Sequence, residues 1–140
     1  MAQAQEVRLG FSIGAGFNFL TNPTGFSAYP VPALPKVVVE VQVLEQLWVS
    51  LQIAPFLLVD EVIFDLKYCF FYAGNTPYIS AGGGIGLYFM AGLAPILHAS
   101  LGYQIDLSTA TRFFLELTSN PFGFTIGPRI GLMTGLTFRL

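Results

Sequence analysis

The groups with which this chain could do chemistry are few: fourteen charged side chains, one histidine and one cysteine in 140 residues. Cys69 stands alone, which excludes an intrachain disulfide, and no Cys/His cluster has the spacing of a metal site. Gly82-Gly83-Gly84 is glycine-rich, but no amphipathic helix follows it, so a phosphate-cradling loop lacks its context. No carboxylate dyad in a cleft and no activated thiolate competes with these. The sequence therefore calls for no cofactor and no metal. A net charge of −2 argues against a nucleic-acid surface. What the charged residues share is position, because they recur at every second residue in company with glycine.

That spacing points to strands. Apolar residues make up 54% of the chain, charged residues 10%, and mean hydropathy is +0.65. A soluble domain carries about 25% charged residues. Yet no stretch approaches the roughly 18 consecutive apolar residues of a membrane helix. The remaining spanning structure is a closed β-barrel, in which every backbone group is paired. The length suits a single domain, residues 1–140. Met1-Ala2-Gln3-Ala4-Gln5 lacks the basic start and apolar core of a signal peptide, and Ala2-Gln3-Ala4 reads as the small-residue stub of a mature secreted chain behind an added Met1.

Eight strands can be read from period-2 alternation. The first sets Val7, Leu9, Phe11, Ile13, Ala15, Phe17 and Phe19 against Glu6, Arg8, Gly10, Ser12, Gly14, Gly16 and Asn18. A proline-rich loop is expected from Thr21 to Pro35, with Pro23, Pro30, Pro32 and Pro35 blocking a ladder. Strand two runs from Lys36 to Leu44, and Glu45-Gln46 turns it. Strand three carries Leu47 to Leu57, with Asp60-Glu61 as the next connection. Strand four carries Val62 to Tyr72 and ends at Gly74-Asn75-Thr76-Pro77. Strands five, six and seven are centred on Ile79 to Phe89, Leu97 to Leu107 and Arg112 to Thr118, and Ser119 to Phe124 leads into the last, which alternates from Thr125 to Leu140.

Glycine and charge decide which face points outward. Ten of the eleven strand glycines share the polar face, Gly83 being the exception. A soluble core built around them would be full of voids, whereas interiors are close-packed. Three charges fall in expected turns (Glu45, Asp60, Glu61) and the other eleven lie on the glycine face. On a lipid-facing surface each Arg or Lys near the midplane would cost about 2–4 kcal/mol. The polar face is therefore the lumen, with Arg8, Glu40, Asp65, Lys67, His98, Glu116 and Arg129 in its polar network and Cys69 a small side chain beside them. The lipid-facing set is Phe11, Ile13, Val39, Val41, Leu66, Leu101, Leu115, Ile130, Leu132 and Leu136. Near-balanced charge in a lumen just wide enough for side chains predicts internal ion pairs and a plugged barrel. A narrow pore for small solutes or protons is the alternative, and a soluble ligand-binding barrel a third. Phe17, Phe19, Tyr72, Tyr103 and Phe138 could form interfacial girdles.

Two segments carry a family likeness. Thr76-Pro77-Tyr78-Ile79-Ser80-Ala81-Gly82-Gly83-Gly84-Ile85-Gly86 resembles a strand of the small bacterial outer-membrane barrels of the outer-membrane protein A and X type. Gly135-Leu136-Thr137-Phe138-Arg139-Leu140 resembles the C-terminal signal read by the outer-membrane insertion machinery, although the final residue there is usually aromatic and here Phe138 is third from last. The resemblance implies a monomeric integral protein of the outer membrane of a Gram-negative-type bacterium, with membrane lipids around it, or detergent in vitro. It implies termini and the turns at Glu45, Asn75 and Ser108 on the periplasmic side, and the Thr21 to Pro35 loop outside. Roles within the family range from anchoring and adhesion to lipid modification. The lipid-modifying branch uses a His-x-Ser pair with a downstream Glu on the lipid-facing wall. His98-Ala99-Ser100 has that spacing, but on the glycine face and in the wrong strand; at the family's position Leu117 replaces the histidine. The expectation is a barrel without enzymatic activity that acts through structure or surface contacts.

Overall fold

A computed structural model describes residues 5–140 apart from 23, 32–34, 57–58, 89–91 and 121–127. The described residues form nine strand segments: β1 (Val7–Asn22), β2 (Gly25–Val31), β3 (Lys36–Gln42), β4 (Leu47–Phe56), β5 (Val59–Cys69), β6 (Thr76–Tyr88), β7 (Gly92–Asp106), β8 (Thr111–Asn120) and β9 (Arg129–Arg139). Each pairs antiparallel with its neighbour, and β9 returns to pair with β1 along eleven residues, Arg8–Asn18 against Arg139–Arg129. β2 and β3 lie on the same edge of β1, one above the other, so the barrel has eight staves. The result is a closed, eight-stranded, antiparallel up-and-down barrel.

Its dimensions follow from register. Partner by partner, Val7 leads to Val41, Val49, Leu66, Ala81, Ala99, Ser119, Ile130 and back to β1 at Phe17. One circuit therefore climbs ten residues, from 7 to 17. With strands about 4.7 Å apart and about 3.3 Å of rise per residue, that stagger gives a tilt of roughly 41° and a backbone radius of roughly 8 Å. Ten residues at that tilt rise about 25 Å, the height of the apolar band of an outer-membrane barrel.

Alternation is carried through to burial. Along β7 buried and exposed residues alternate from Leu93 to Gly102 and beyond. Leu66 is 53% exposed between fully buried Asp65 and buried Lys67. Phe11, Ile13, Leu101, Leu115, Ile130 and Leu132 also face outward and exposed, while Val39, Val41 and Leu136 are half-buried on the same outer surface. The barrel is inside-out relative to a soluble one: apolar on its exterior, polar and glycine-rich within.

Three sequence expectations are corrected. The proline-rich stretch from Thr21 to Pro35 contains a strand, because β1 continues to Asn22 and folds back on β2 with Phe17 opposite Pro30 and Asn22 opposite Gly25. Pro30 is tolerated because β2 is an edge strand, where the missing N–H breaks no ladder. Gly25 supplies the positive φ of 144° that starts the return. Asp60 and Glu61 are not a connection: they lie in β5, opposite Pro55 and Ala54. Finally, strand four ends at Cys69, and residues 70–75 form the turn, held by the Phe71 amide donating to Thr76 Oγ1 at 2.9 Å. The expected lead from Ser119 to Phe124 and the start of the last strand at Thr125 fall largely outside the described residues.

Candidate functional site

Every buried charged group of the described residues lies inside the barrel, on residues that the pleat turns inward. At the end away from the termini, Glu61 of β5 reaches two cations: Oε2 is 3.6 Å from Lys36 Nζ of β3, and Oε1 is 3.3 Å from Arg129 Nη2 of β9. Arg129 Nε also donates to Asn18 Oδ1 at 3.2 Å. Glu61 is 1% exposed, although two acidic residues in a row read as a turn. The signal that could have found it is parity, since Glu61, Ile63, Asp65, Lys67 and Cys69 are every second residue of one strand and all are buried.

Midway, Asp65 Oδ2 lies 2.7 Å from His98 Nδ1 and accepts from Gln52 Nε2 at 3.2 Å. Ser80 and Ser100 hydroxyls are 2.6 Å apart. Glu116 Oε2 accepts from the Tyr78 hydroxyl at 2.8 Å. Nearer the termini, Lys67 Nζ donates to Glu40 Oε1 at 2.6 Å and stands 4.1 Å from the centroid of the Tyr78 ring. Arg8 pairs with Glu6, and Arg112 Nε with Asp106 Oδ1 at 2.7 Å. All seven residues expected in the lumen network are thus inside, but in separate pairs and trios, joined across the barrel.

The interior is less uniformly polar than its glycines suggest. Val38, Trp48, Cys69, Tyr78 and Phe114 form a buried apolar cluster. Its rings take the space that glycine leaves: a Cβ on Gly102 would run into the Tyr78 ring, and one on Gly135 would stand 2.6 Å from Phe114 Cζ. The glycine face thus receives aromatic rings at Gly102 and Gly135, and an Asp65 carboxylate oxygen 2.5 Å from where a Cβ of Gly82 would sit. Trp48 and Phe114 carried no sequence signal beyond their parity.

Two cavities among the described residues of the interior are small. One cavity of about 30 Å³ is lined by Lys36, His98, Asn120, Arg129 and the backbone of Gly14–Gly16, and another of about 10 Å³ by Glu40, Gln52, Lys67, Tyr78 and Glu116. Each is on the scale of a water molecule. The larger recess, about 270 Å³, opens at the end that carries the termini.

Hydrolytic chemistry gains no support from this geometry. His98 and Ser100 are both buried inside the barrel, with hydrogen bonds to Asp65 and Ser80. A base and nucleophile acting on lipid would have to reach it. Leu117, at the outer-wall position, is exposed and apolar. Among the described residues no group of three or more His, Cys, Asp or Glu could hold a metal ion.

No family model matches the chain, and no curated protein matches it in sequence. Solved structures do match in fold. The N-terminal β-barrel domain of Pseudomonas aeruginosa OprF superposes with a TM-score of 0.65 at 12% identity, covering 95% of this chain and 97% of that one. Neisserial surface protein A gives 0.60 at 9% identity, with 99% and 98% covered. Ail, the attachment invasion locus protein of Yersinia pestis, gives 0.57 at 12% identity, with 97% of each chain covered. The fold is that of the small transmembrane outer-membrane β-barrels.

Proposed function

We propose that the chain is a single-domain, integral, non-enzymatic protein of the outer membrane of a Gram-negative-type bacterium. Its lumen is plugged, and it acts as a structural or surface-interaction protein through the connections at the end opposite the termini. The observation that carries the plugged lumen is the filled interior: ion pairs and aromatic rings from all eight staves leave cavities of about 30 and 10 Å³ between the two mouths. An eight-stranded barrel has an interior that side chains alone can fill. The surface role is supported by likeness to Ail, the attachment invasion locus protein, and to the neisserial surface protein. Non-enzymatic character is supported by His98 and Ser100, which hydrogen-bond inside the wall and not on it. The C-terminal strand β9, with Phe138 and Leu140 exposed beside the seam, suits recognition by the insertion machinery.

Planar-bilayer recording of the purified, folded protein tests the plug. The expected result is an electrically silent bilayer. Stable unitary conductance would overturn the reading in favour of a narrow pore for solutes or protons.

A further inference from the structure

In the recess at the terminal mouth, cations outnumber anions. Arg8, Arg112 and Arg139 line it together with Glu6, Asp106 and Trp48. Arg8 and Arg139 are direct register partners across the β1–β9 seam, and like charges placed opposite one another in a sheet repel. Glu6 pairs with Arg8 and Asp106 with Arg112, while no carboxylate of the described residues pairs with Arg139. Arg8 is 3% and Arg112 8% exposed, and Nη1 of each is buried with no hydrogen-bond partner among the described residues. Unsatisfied guanidinium donors at a recess are costly unless something accepts from them. Deeper in the barrel each cation named above reaches a carboxylate: Lys67 pairs with Glu40, while Lys36 and Arg129 share Glu61.

We propose that this mouth is a binding site for a compact oxyanion carrying two negative charges, a phosphate or a dicarboxylate. The guanidinium fork presents paired donors that fit the oxygens of either group. Arg139, exposed at the rim, completes a three-arginine cradle with Arg8 and Arg112, and the recess of about 270 Å³ has room for such an anion. Trp48 forms the inner wall, with its ring 5.3 Å from the Arg112 guanidinium carbon. An anion drawn to Arg112 changes the charge beside that indole. The site faces water at the end opposite the connections assigned to surface contacts, so it stands independently of that assignment.

Trp48 is the chain's one tryptophan, which makes the site its own reporter. The protein folded in neutral detergent is titrated with inorganic phosphate, with succinate and with chloride at matched ionic strength, and Trp48 emission is followed. The expected result is a saturable change with phosphate or succinate and none with chloride, the tighter of the two naming the source of the anion. Arg139→Gln, at an exposed position, is expected to weaken that binding about tenfold while keeping the folded gel mobility. A linear response that tracks ionic strength for all three salts overturns the site, and so does wild-type affinity in Arg139→Gln.

Discussion

Replacing Glu61 by Gln removes one negative charge from between two cations and changes almost nothing in shape. Lys36 Nζ at 3.6 Å and Arg129 Nη2 at 3.3 Å then face a neutral amide. Breaking a buried ion pair by neutralising one partner costs about 3–5 kcal/mol, because the other charge stays desolvated. The two cations do not contribute equally. Arg129 keeps its bond to Asn18 and its side chain is 17% exposed, so its share shrinks toward the surface value of about 1 kcal/mol or less. The Lys36 side chain, 8% exposed, carries most of the penalty. The net expectation is a loss of about 3 kcal/mol, more than a hundredfold in the unfolding equilibrium. Adding Lys36→Met to Glu61→Gln removes the stranded cation and is expected to restore most of that loss, since apolar replacement of a buried ion pair is close to neutral. Reversible urea unfolding in detergent, followed by Trp48 emission and by the mobility difference between folded and boiled protein, measures both. If Glu61→Gln lies within about 0.5 kcal/mol of wild type, a value ordinary for surface substitutions, Glu61 is not the buried anion described. A double variant less stable than the single one refutes the reasoning equally.

Three further outcomes follow from the wall itself. Gly82→Ala is expected to cost about 1–3 kcal/mol, since the added Cβ meets the Phe64 carbonyl and the Asp65 side chain, whereas outward-facing Gly83→Ala should cost less than about 1 kcal/mol; urea midpoints of the pair decide it. Leu66→Arg, on an exposed outer position, is expected to lose about 2–4 kcal/mol on folding into lipid vesicles, while an outward arginine on a water-facing barrel would be near neutral. Tyr78→Phe deletes the 2.8 Å bond to Glu116 in a fully buried site and is expected to cost about 1.5–3 kcal/mol, again read from urea midpoints.

How much of this could be read from the sequence depends on whether the determinant is local. Period-2 alternation is a local signal, and it placed Asp65, Lys67, Arg8 and Glu116 on one face without any knowledge of partners. Closure and staves came with it, since a polar glycine face has to be enclosed. Glu61 was missed because Asp60-Glu61 has turn composition, and the two cations that make its burial affordable come from residues 25 and 68 positions away. β2 was missed because proline content argues against a ladder, while the exemption of an edge strand is a property of the finished sheet. The rings seated on Gly102 and Gly135 escaped for the same reason, as the register that brings them together is set by strand pairing.

The seam between β1 and β9 has a meaning in time as well as in space. Arg8 and Arg139 are partners across almost the whole chain, so β1 waits with one edge open until the final strand has been made. The Glu61–Arg129 contact is delayed with it, because Arg129 opens that same strand. A chain made from its N-terminus therefore cannot assemble stave by stave into intermediates with paired edges and a neutralised interior. Until β9 is in place, its first staves keep two unpaired edges, and Glu61 has only one of its two cations. The eleven residues of β9 pair with both open edges and bring Arg129 to Glu61, so closure of the wall and neutralisation of its interior arrive in one step.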